Sequence, residues 1–433
     1  MGNARTLDTL NLPPGYKQED VGVIPADWDC SRLGDLTTRV GSGITPTGGK
    51  RVYVTDGRPF LRSQNVGWGF LDLRDIAFIT DETHATFAAS EIKEGDVLLN
   101  ITGASIGRSA VADSSVALGN VNQHVCEIRP DPDQLDSYFL NSFLLSAAGQ
   151  RQIDSFQAGG NRQGLNFIQI RSFLVPQPSL REQCDIAAAL TDVGALLDSL
   201  DNLIAKKRSL KQAATQQLLT GLTRLPGFKA KWVVRPLCKV GDIKSGGTPS
   251  TAQAHFWDGG VPWCTPSDVT ALHGGKYISE TTRTISTAGV QFSSAEVLPP
   301  GSLIVTSRAT IGECAINIVP VTTNQGFKNV VPFAEVHVEF LYYLMTIQKT
   351  GLLALCAGST FLEIGKKQLS SYEVTLPIDR EEQEAIATIL SDMDAEIDAL
   401  EARRNKTQDL KQAMMQELLT GKTRLVKPET ANA

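Results

Sequence analysis

The chain contains no run of about 18 apolar residues, the length a membrane-crossing helix requires, so no transmembrane helix is expected. Its first twenty residues are polar and carry no apolar signal core, which predicts a cytoplasmic protein. Met1-Gly2 opens the chain, but nothing in the polar tail around Thr6 adds a case for a lipid anchor. Cysteine is sparse and scattered: Cys30, Cys126, Cys184, Cys238, Cys264, Cys314 and Cys356 form no C-x-x-C pair. An odd, dispersed set excludes a disulfide framework or a zinc knuckle and fits reduced thiols. The five histidines show no H-x-x-x-H spacing, so no metal site is expected. Positive charge is also short, at 41 Lys and Arg against 47 Asp and Glu, a formal net charge of −6. That balance argues against a general polyanion binder, although a local cationic face is compatible with it.

Catalytic signatures are missing as well. No G-x-S-x-G, H-E-x-x-H or G-x-G-x-x-G stands in a strand–helix context. The stretch Asn11-Leu12-Pro13-Pro14-Gly15 departs from the N-P-P-aromatic signature of amino-methyltransferases, with Leu12 inserted and Gly15 in place of the aromatic ring. Glu91-Ile92-Lys93 has the E-x-K spacing of nuclease metal sites, which any surface turn supplies by chance. Gly421-Lys422-Thr423 resembles the end of a phosphate-binding loop, but the loop's first glycine would fall on Gln416, inside a helix pattern. Two hundred residues upstream the same stretch reads Gly221-Leu222-Thr223. A phosphate-binding lysine is not replaced by leucine in a copy that keeps its surroundings, so the nucleotide reading fails.

What is present is a repeat. Residues 180–225 align without gaps on residues 380–425, and about half the positions are identical. Glu182-Gln183 matches Glu382-Gln383, and Leu210-Lys211-Gln212-Ala213 matches Leu410-Lys411-Gln412-Ala413. In the first copy Ile186, Leu190, Val193, Leu197, Leu200 and Ile204 recur at alternating steps of four and three. Ile386, Leu390, Met393, Ile397 and Leu400 take the same places in the second. That spacing puts one apolar stripe on each helix, the seam of a two-helix coiled coil. Pro178 and Pro377 lie just upstream, and Gly221 and Gly421 stand where a left-handed cap would end each helix. Helices of about 35–40 residues would be roughly 50–60 Å long. Two near-identical stripes in one chain are most economically buried against each other, as an antiparallel pair.

The intervening segments correspond more loosely. Residues 39–49 answer 243–252, 58–67 answer 261–270, 95–111 answer 301–316, 120–124 answer 322–326, and 159–170 answer 358–369. Short β-branched runs broken by Gly, Pro, Ser and Asn predict strands and turns, with a few helices such as Leu135–Ala148. The plan is an N-terminal tail (1–20), a globular domain (21–178), a long helix (179–224), a second globular domain (225–377), a second long helix (378–425) and a short tail (426–433).

The opening "GYKQEDVGVIPADWDCSRLGDL", the Gly-Ser-Gly-x-Thr-Pro turn, "VPWCTPSDV", the "ATIG" loop, "NQG" and the proline–Glu-Gln helix starts ending in "LLTG" resemble specificity subunits of type I restriction-modification systems. Each motif alone is weak, but the order, doubled at the right separation, spans almost the whole chain. The resemblance implies an α+β fold: two similar α/β target-recognition domains with β-rich cores, separated by two long antiparallel coiled-coil helices. Each domain would read one half of a bipartite, asymmetric double-stranded DNA site. The subunit would have no catalytic centre and bind no cofactor. It would recruit two S-adenosylmethionine-dependent adenine methyltransferase subunits and ATP- and Mg2+-dependent restriction/translocase subunits. The acidic net charge fits if those partners supply much of the phosphate clamp.

Polar residues in the turn-rich segments are the candidate DNA contacts, because Arg, Lys, Asn, Gln, Ser and Thr reach base edges or phosphates. In the first domain these are Arg62, Gln64, Asn65, Arg108, Asn161, Arg162 and Gln163; in the second, Thr265, Ser267, Arg308, Lys328, Lys366 and Lys367. The outer faces of the long helices are expected to dock the methyltransferase subunits. Two other readings compete with this one. A relative of a fused restriction–methylation enzyme would need the missing catalytic motifs. A scaffold that merely oligomerises through its helices would bind every duplex equally.

Overall fold

The computed structural model describes residues 12–157, 164–356 and 362–425. The chain divides into two compact units, one formed by residues up to 201 together with those from 402 onward, the other by 202–401. Two helices dominate the secondary structure: a central one, Leu180–Leu219, and a distal one, Arg380–Leu418. Each unit therefore holds a β-rich globule, one half of the central helix and the opposite half of the distal helix.

In the first unit, a four-stranded antiparallel sheet runs in the order Thr37–Ser42, Val125–Pro130, Val97–Asn100, Ser109–Val111. Val97–Asn100 is buried throughout: Val97, Leu98 and Leu99 are apolar, and the Asn100 amide donates to the Ser63 and Val66 carbonyls. Beside it lies a three-stranded sheet, Ala77–Ile79, Arg58–Leu61 and Asn120–Val121, the last pair parallel. Asp29–Arg32 pairs with Leu174–Gln177 and brings the start of the globule against the strand that leads into the central helix.

The second unit repeats this template. Gly241–Ser245, Lys328–Pro332, Leu303–Val305 and Cys314–Asn317 take the same order, with Tyr277–Ile278 added at the edge. Arg283–Ile285, Trp257–Cys264 and Thr322–Thr323 form the three-stranded sheet. Trp232–Pro236 pairs with Glu373–Pro377, which leads into the distal helix.

The helix expected over Leu135–Ala148 is two: Ser137–Leu145 and Ala147–Ser155. Ser146 breaks them because its backbone is extended and its hydroxyl caps the second helix by accepting from Gly149 N–H at 3.2 Å. In the second unit Val338–Thr346 occupies the first place and is followed by Lys349–Ala354.

The stripes predicted on the long helices face inward in part. Ile186, Leu190, Leu197, Leu200, Ile204, Ile386, Leu390 and Ile397 are buried, while Val193, Met393 and Leu400 are half-buried. Ile186 and Leu190 join the first unit's core together with Leu418, the last residue of the distal helix, and Leu419 just beyond it. Ile386 and Leu390 join the second unit's core with Leu218 and Leu219 of the central helix. Within each unit the helix halves are thus antiparallel and packed on the globule, each buried Leu or Ile contributing about 1.5–3 kcal/mol. Polar pairs flank the apolar contacts: Arg404–Asp201 at 3.1 Å in the first unit, and Lys207–Glu396, Arg208–Glu401 and Lys211–Asp394 in the second. No helix among the described residues is long and apolar enough to cross a membrane.

Candidate nucleic-acid interface

Two sets of residues recur in both units, one tying the helix ends together and one shaping a cluster of loops. The first begins with the repeated Glu-Gln. Glu182 and Glu382 are fully buried, and each accepts a forked pair of hydrogen bonds from the arginine of the other helix's Thr-Arg-Leu exit. Arg424 donates to Glu182 through Nε at 2.5 Å and Nη2 at 2.8 Å. Arg224 donates to Glu382 through Nε at 2.6 Å and Nη2 at 2.8 Å. A tryptophan lies beside each pair, Trp28 just before the strand Asp29–Arg32 and Trp232 at the start of Trp232–Pro236. Trp28 donates Nε1–H to Glu182 at 3.2 Å, Trp232 donates to Glu382 at 3.4 Å, and each ring sits within 6 Å of its arginine.

The neighbouring glutamines serve the globules. Gln183 accepts from Asp136 N–H and donates to the carbonyls of Gln134 and Pro178; Gln383 accepts from His337 N–H and donates to Glu335 and Pro377. Gly421 and Gly221 adopt φ of +67° and +70°, and each is pressed against the tryptophan of its clamp. In the first unit Tyr16 also donates its hydroxyl to the Gly421 carbonyl at 3.0 Å.

The loop cluster is built by another doubled contact. The Gly-x-Thr-Pro turn meets the Asn-Gln loop in each unit, where Thr45 donates to Gln123 and Thr248 donates to Gln325. The approach is so close that a Cβ on Gly43 would lie 1.7 Å from the Val121 carbonyl oxygen, and one on Gly246 1.8 Å from that of Asn324. Asn122 and Asn324 then brace their loops by accepting from the N–H two residues on, at 3.0 and 2.8 Å.

Around these turns the candidate DNA contacts divide. In the first unit Arg62 donates to the Asp75 carboxylate at 3.3 Å and its carbonyl at 2.8 Å, and exposed Gln64 donates to the same carboxylate at 2.6 Å. Asn65 is buried, and its amide is spent on Arg62 N–H and the carbonyls of Asp72 and Asp75, so it shapes the 62–75 loop and faces no solvent. Arg108 borders an open cleft with Gln64, Thr102, Ser105 and His124, and among the described residues its guanidinium pairs with no group. Asn161, Arg162 and Gln163 lie outside the described residues.

In the second unit Thr265 is committed to the buried Asp268, donating through N–H at 2.7 Å and its hydroxyl at 2.6 Å. Burial pushes the Asp268 carboxyl up, but these bonds and two from Thr282 outweigh it and hold the pKa below the usual range. Ser267, Lys366 and Lys367 are exposed. Arg308 pairs with Glu363 at 2.7 Å, and Lys328, which is buried, lies 3.7 Å from the same carboxylate. Burial lowers the Lys328 pKa in spite of Glu363. The structure therefore gathers Arg62, Gln64 and Arg108 into one loop cluster and Arg308 and Lys328 into another. Sequence reasoning missed Asp75, Glu363 and both Arg–Glu–Trp clamps, although the repeated Glu-Gln and Thr-Arg-Leu were a visible signal for the clamps. Among the described residues no group of His, Cys, Asp and Glu could hold a metal ion.

The fold defines a class: a duplicated α+β protein whose two β-rich globules each rest on an antiparallel helix pair and present polar loops. A family model described as the type I restriction modification DNA specificity domain matches twice, over residues 25–207 and 229–408. This chain belongs to that family. The MjaIX specificity subunit of Methanocaldococcus jannaschii is 37% identical over 187 residues, which is 43% of this chain and 42% of that protein. The putative MjaX specificity subunit of the same organism is 25% identical over 428 residues, 95% of this chain and 97% of that one. A crystal structure of a type I restriction-modification S subunit from M. genitalium has the same fold, with a TM-score of 0.58 at 15% identity over 90% of this chain and 96% of that one.

Proposed function

We propose that this chain is the DNA-specificity subunit of a type I restriction-modification complex, and that its two globules each bind one half of a bipartite, asymmetric DNA site. The observation that carries the reading is the duplication itself: one template, one set of internal clamps, and different side chains on the loops. A pair of similar units bearing different polar loops suits a site with two different halves. The long helices act as the ruler between the half-sites, and their outer faces dock two methyltransferase subunits. S-adenosylmethionine, ATP and Mg2+ belong to the methyltransferase and restriction/translocase partners, and this chain contributes recognition without catalysis in the cytoplasm. The unequal loop chemistry favours recognition over a scaffold role, because a scaffold has no use for loops that differ.

Single-molecule sequencing of methylated adenines in a host carrying the chain and its methyltransferase partner tests this. The expected result is one bipartite motif with a fixed spacer. Methylation without a motif, or equal affinity of the assembled complex for every duplex, would refute it.

A further inference from the structure

One register position carries opposite charge in the two units. In the first, the loop after Val97–Asn100 closes with Asn100 N–H donating to the Arg108 carbonyl at 2.9 Å and Gly107 N–H donating to the Asn100 carbonyl at 3.0 Å. In the second, Thr306 N–H donates to the Glu313 carbonyl at 2.9 Å and Gly312 N–H donates to the Thr306 carbonyl at 3.0 Å. Gly107 and Gly312 turn the chain with φ of +85° and +83°, and a sheet strand follows in each case. Arg108 and Glu313 are therefore the same place on one template.

Both side chains are half-buried, and among the described residues neither has an ionic partner. The Arg108 guanidinium borders a cleft of about 440 Å3 whose other walls include Gln64, Thr102, Ser105 and His124 and no acidic residue, and its buried Nε has no hydrogen-bond acceptor. The Glu313 carboxylate accepts only a 3.3 Å bond from the Thr270 hydroxyl. A half-buried guanidinium with idle donors implies an acceptor supplied from outside.

We propose that this position reads a base edge in each half-site: Arg108 the O6 and N7 acceptors of a guanine, and Glu313 the N4 amino donor of a cytosine. The assignment rests on the DNA-specificity reading above. The carboxylate is what separates base from backbone. Phosphate repels Glu313, so a carboxylate at this place is useful only against a donor on a base edge. The shared register then puts Arg108 against a base as well, where its planar fork matches guanine.

The test compares adenine-methylation motifs from hosts carrying the wild-type chain, Arg108→Ala, Arg108→Lys, Glu313→Ala and Glu313→Gln, each with the methyltransferase partner. Arg108→Ala and Arg108→Lys are expected to relax one guanine in one half-site by roughly 10- to 100-fold and leave the other half unchanged. Both Glu313 variants are expected to relax one cytosine in the other half alone. The lysine and glutamine variants keep size and polarity, so an alanine variant that fails to fold does not remove the test. Uniformly weaker methylation of an unchanged motif in Arg108→Ala, restored by Arg108→Lys, would mark a phosphate contact and overturn the assignment. So would an unchanged motif in all four variants. If the wild-type chain gives no bipartite motif, the specificity reading itself fails and this assignment falls with it.

Discussion

Arg424→Ala should destabilise the first unit through a single buried group. Glu182 is 1% exposed and receives both forked bonds from Arg424, which is itself only 16% exposed. Removing the guanidinium leaves a buried carboxylate with one remaining donor, Trp28 Nε1–H at 3.2 Å. Breaking a buried ion pair from one side costs about 3–5 kcal/mol. The second partner of Arg424, Asp27, is 53% exposed and adds only about 0–1 kcal/mol. The double variant Glu182→Met with Arg424→Met removes the charge that the single variant strands, so most of the loss should return. Arg224→Ala should act the same way on the second unit, less strongly because Arg224 is 32% exposed and water reaches its site. Urea unfolding followed by circular dichroism, with free energies extrapolated to zero denaturant, gives the comparison. Two transitions are admissible because the chain has two compact units. If Arg424→Ala lost less than about 1 kcal/mol, or if the double variant were as damaged as the single, the clamp would not be holding the helix ends.

Three further outcomes follow from the same contacts. Gly421→Ala should cost more than Gly221→Ala in the same unfolding assay: both force a side chain into positive φ, at about 1–2 kcal/mol, but only the Gly421 Cβ also falls 2.4 Å from Pro25 Cγ. Asp75→Asn should free Arg62 from an exposed pair worth about 0–1 kcal/mol, raise the assembled complex's affinity for random duplex up to about fivefold and steepen its salt dependence; unchanged binding in a filter or anisotropy titration would count against Arg62 as a phosphate contact. Lys328→Met should flatten the stability–pH profile on the alkaline side, read by thermal melting. The folded pKa of Lys328 lies below its unfolded value, so between the two the unfolded chain binds more protons and stability rises with pH in the wild type alone.

The long helices and their caps were legible in the sequence because a repeat supplies its own control. Ile186 and Ile386, or Gly221 and Gly421, are the same residue at the same place: the isoleucines each join their unit's core, and the glycines each lie against a tryptophan. The break at Ser146 was not legible, since its neighbours on both sides favour helix and only the cap geometry separates the two segments. Among the loop residues the difficulty was of another kind. Asn65 and Thr265 have the side chains of base readers, but a nearby backbone or carboxylate claims their hydrogen bonds first. Composition shows which groups can reach DNA; it does not show that Asp75 and Glu363 hold Arg62, Gln64, Arg308 and Lys328.

The two copies also sort the positions by role. Several agreeing positions pair with one another: Glu182 and Glu382 are buried against Arg424 and Arg224, while Thr45 and Thr248 donate to Gln123 and Gln325 at the loops. The Glu–Arg pairs cannot change singly without stranding a buried carboxylate, which holds both copies to one solution there. Leu222 and Lys422 differ on an exposed exit, and Arg108 and Glu313 differ at a half-buried place where neither has an ionic partner among the described residues. Lys422 follows a capping glycine on an exposed exit, beside an arginine that is spent on Glu182, so the Gly-Lys-Thr string marks the end of a clamp. The acidic net charge is an average over the chain and does not set the charge at one loop: Arg108 borders a cleft lined by no acidic side chain. What approaches the loops meets shared groups, Gln123 and Gln325, beside unshared ones, Arg108 and Glu313.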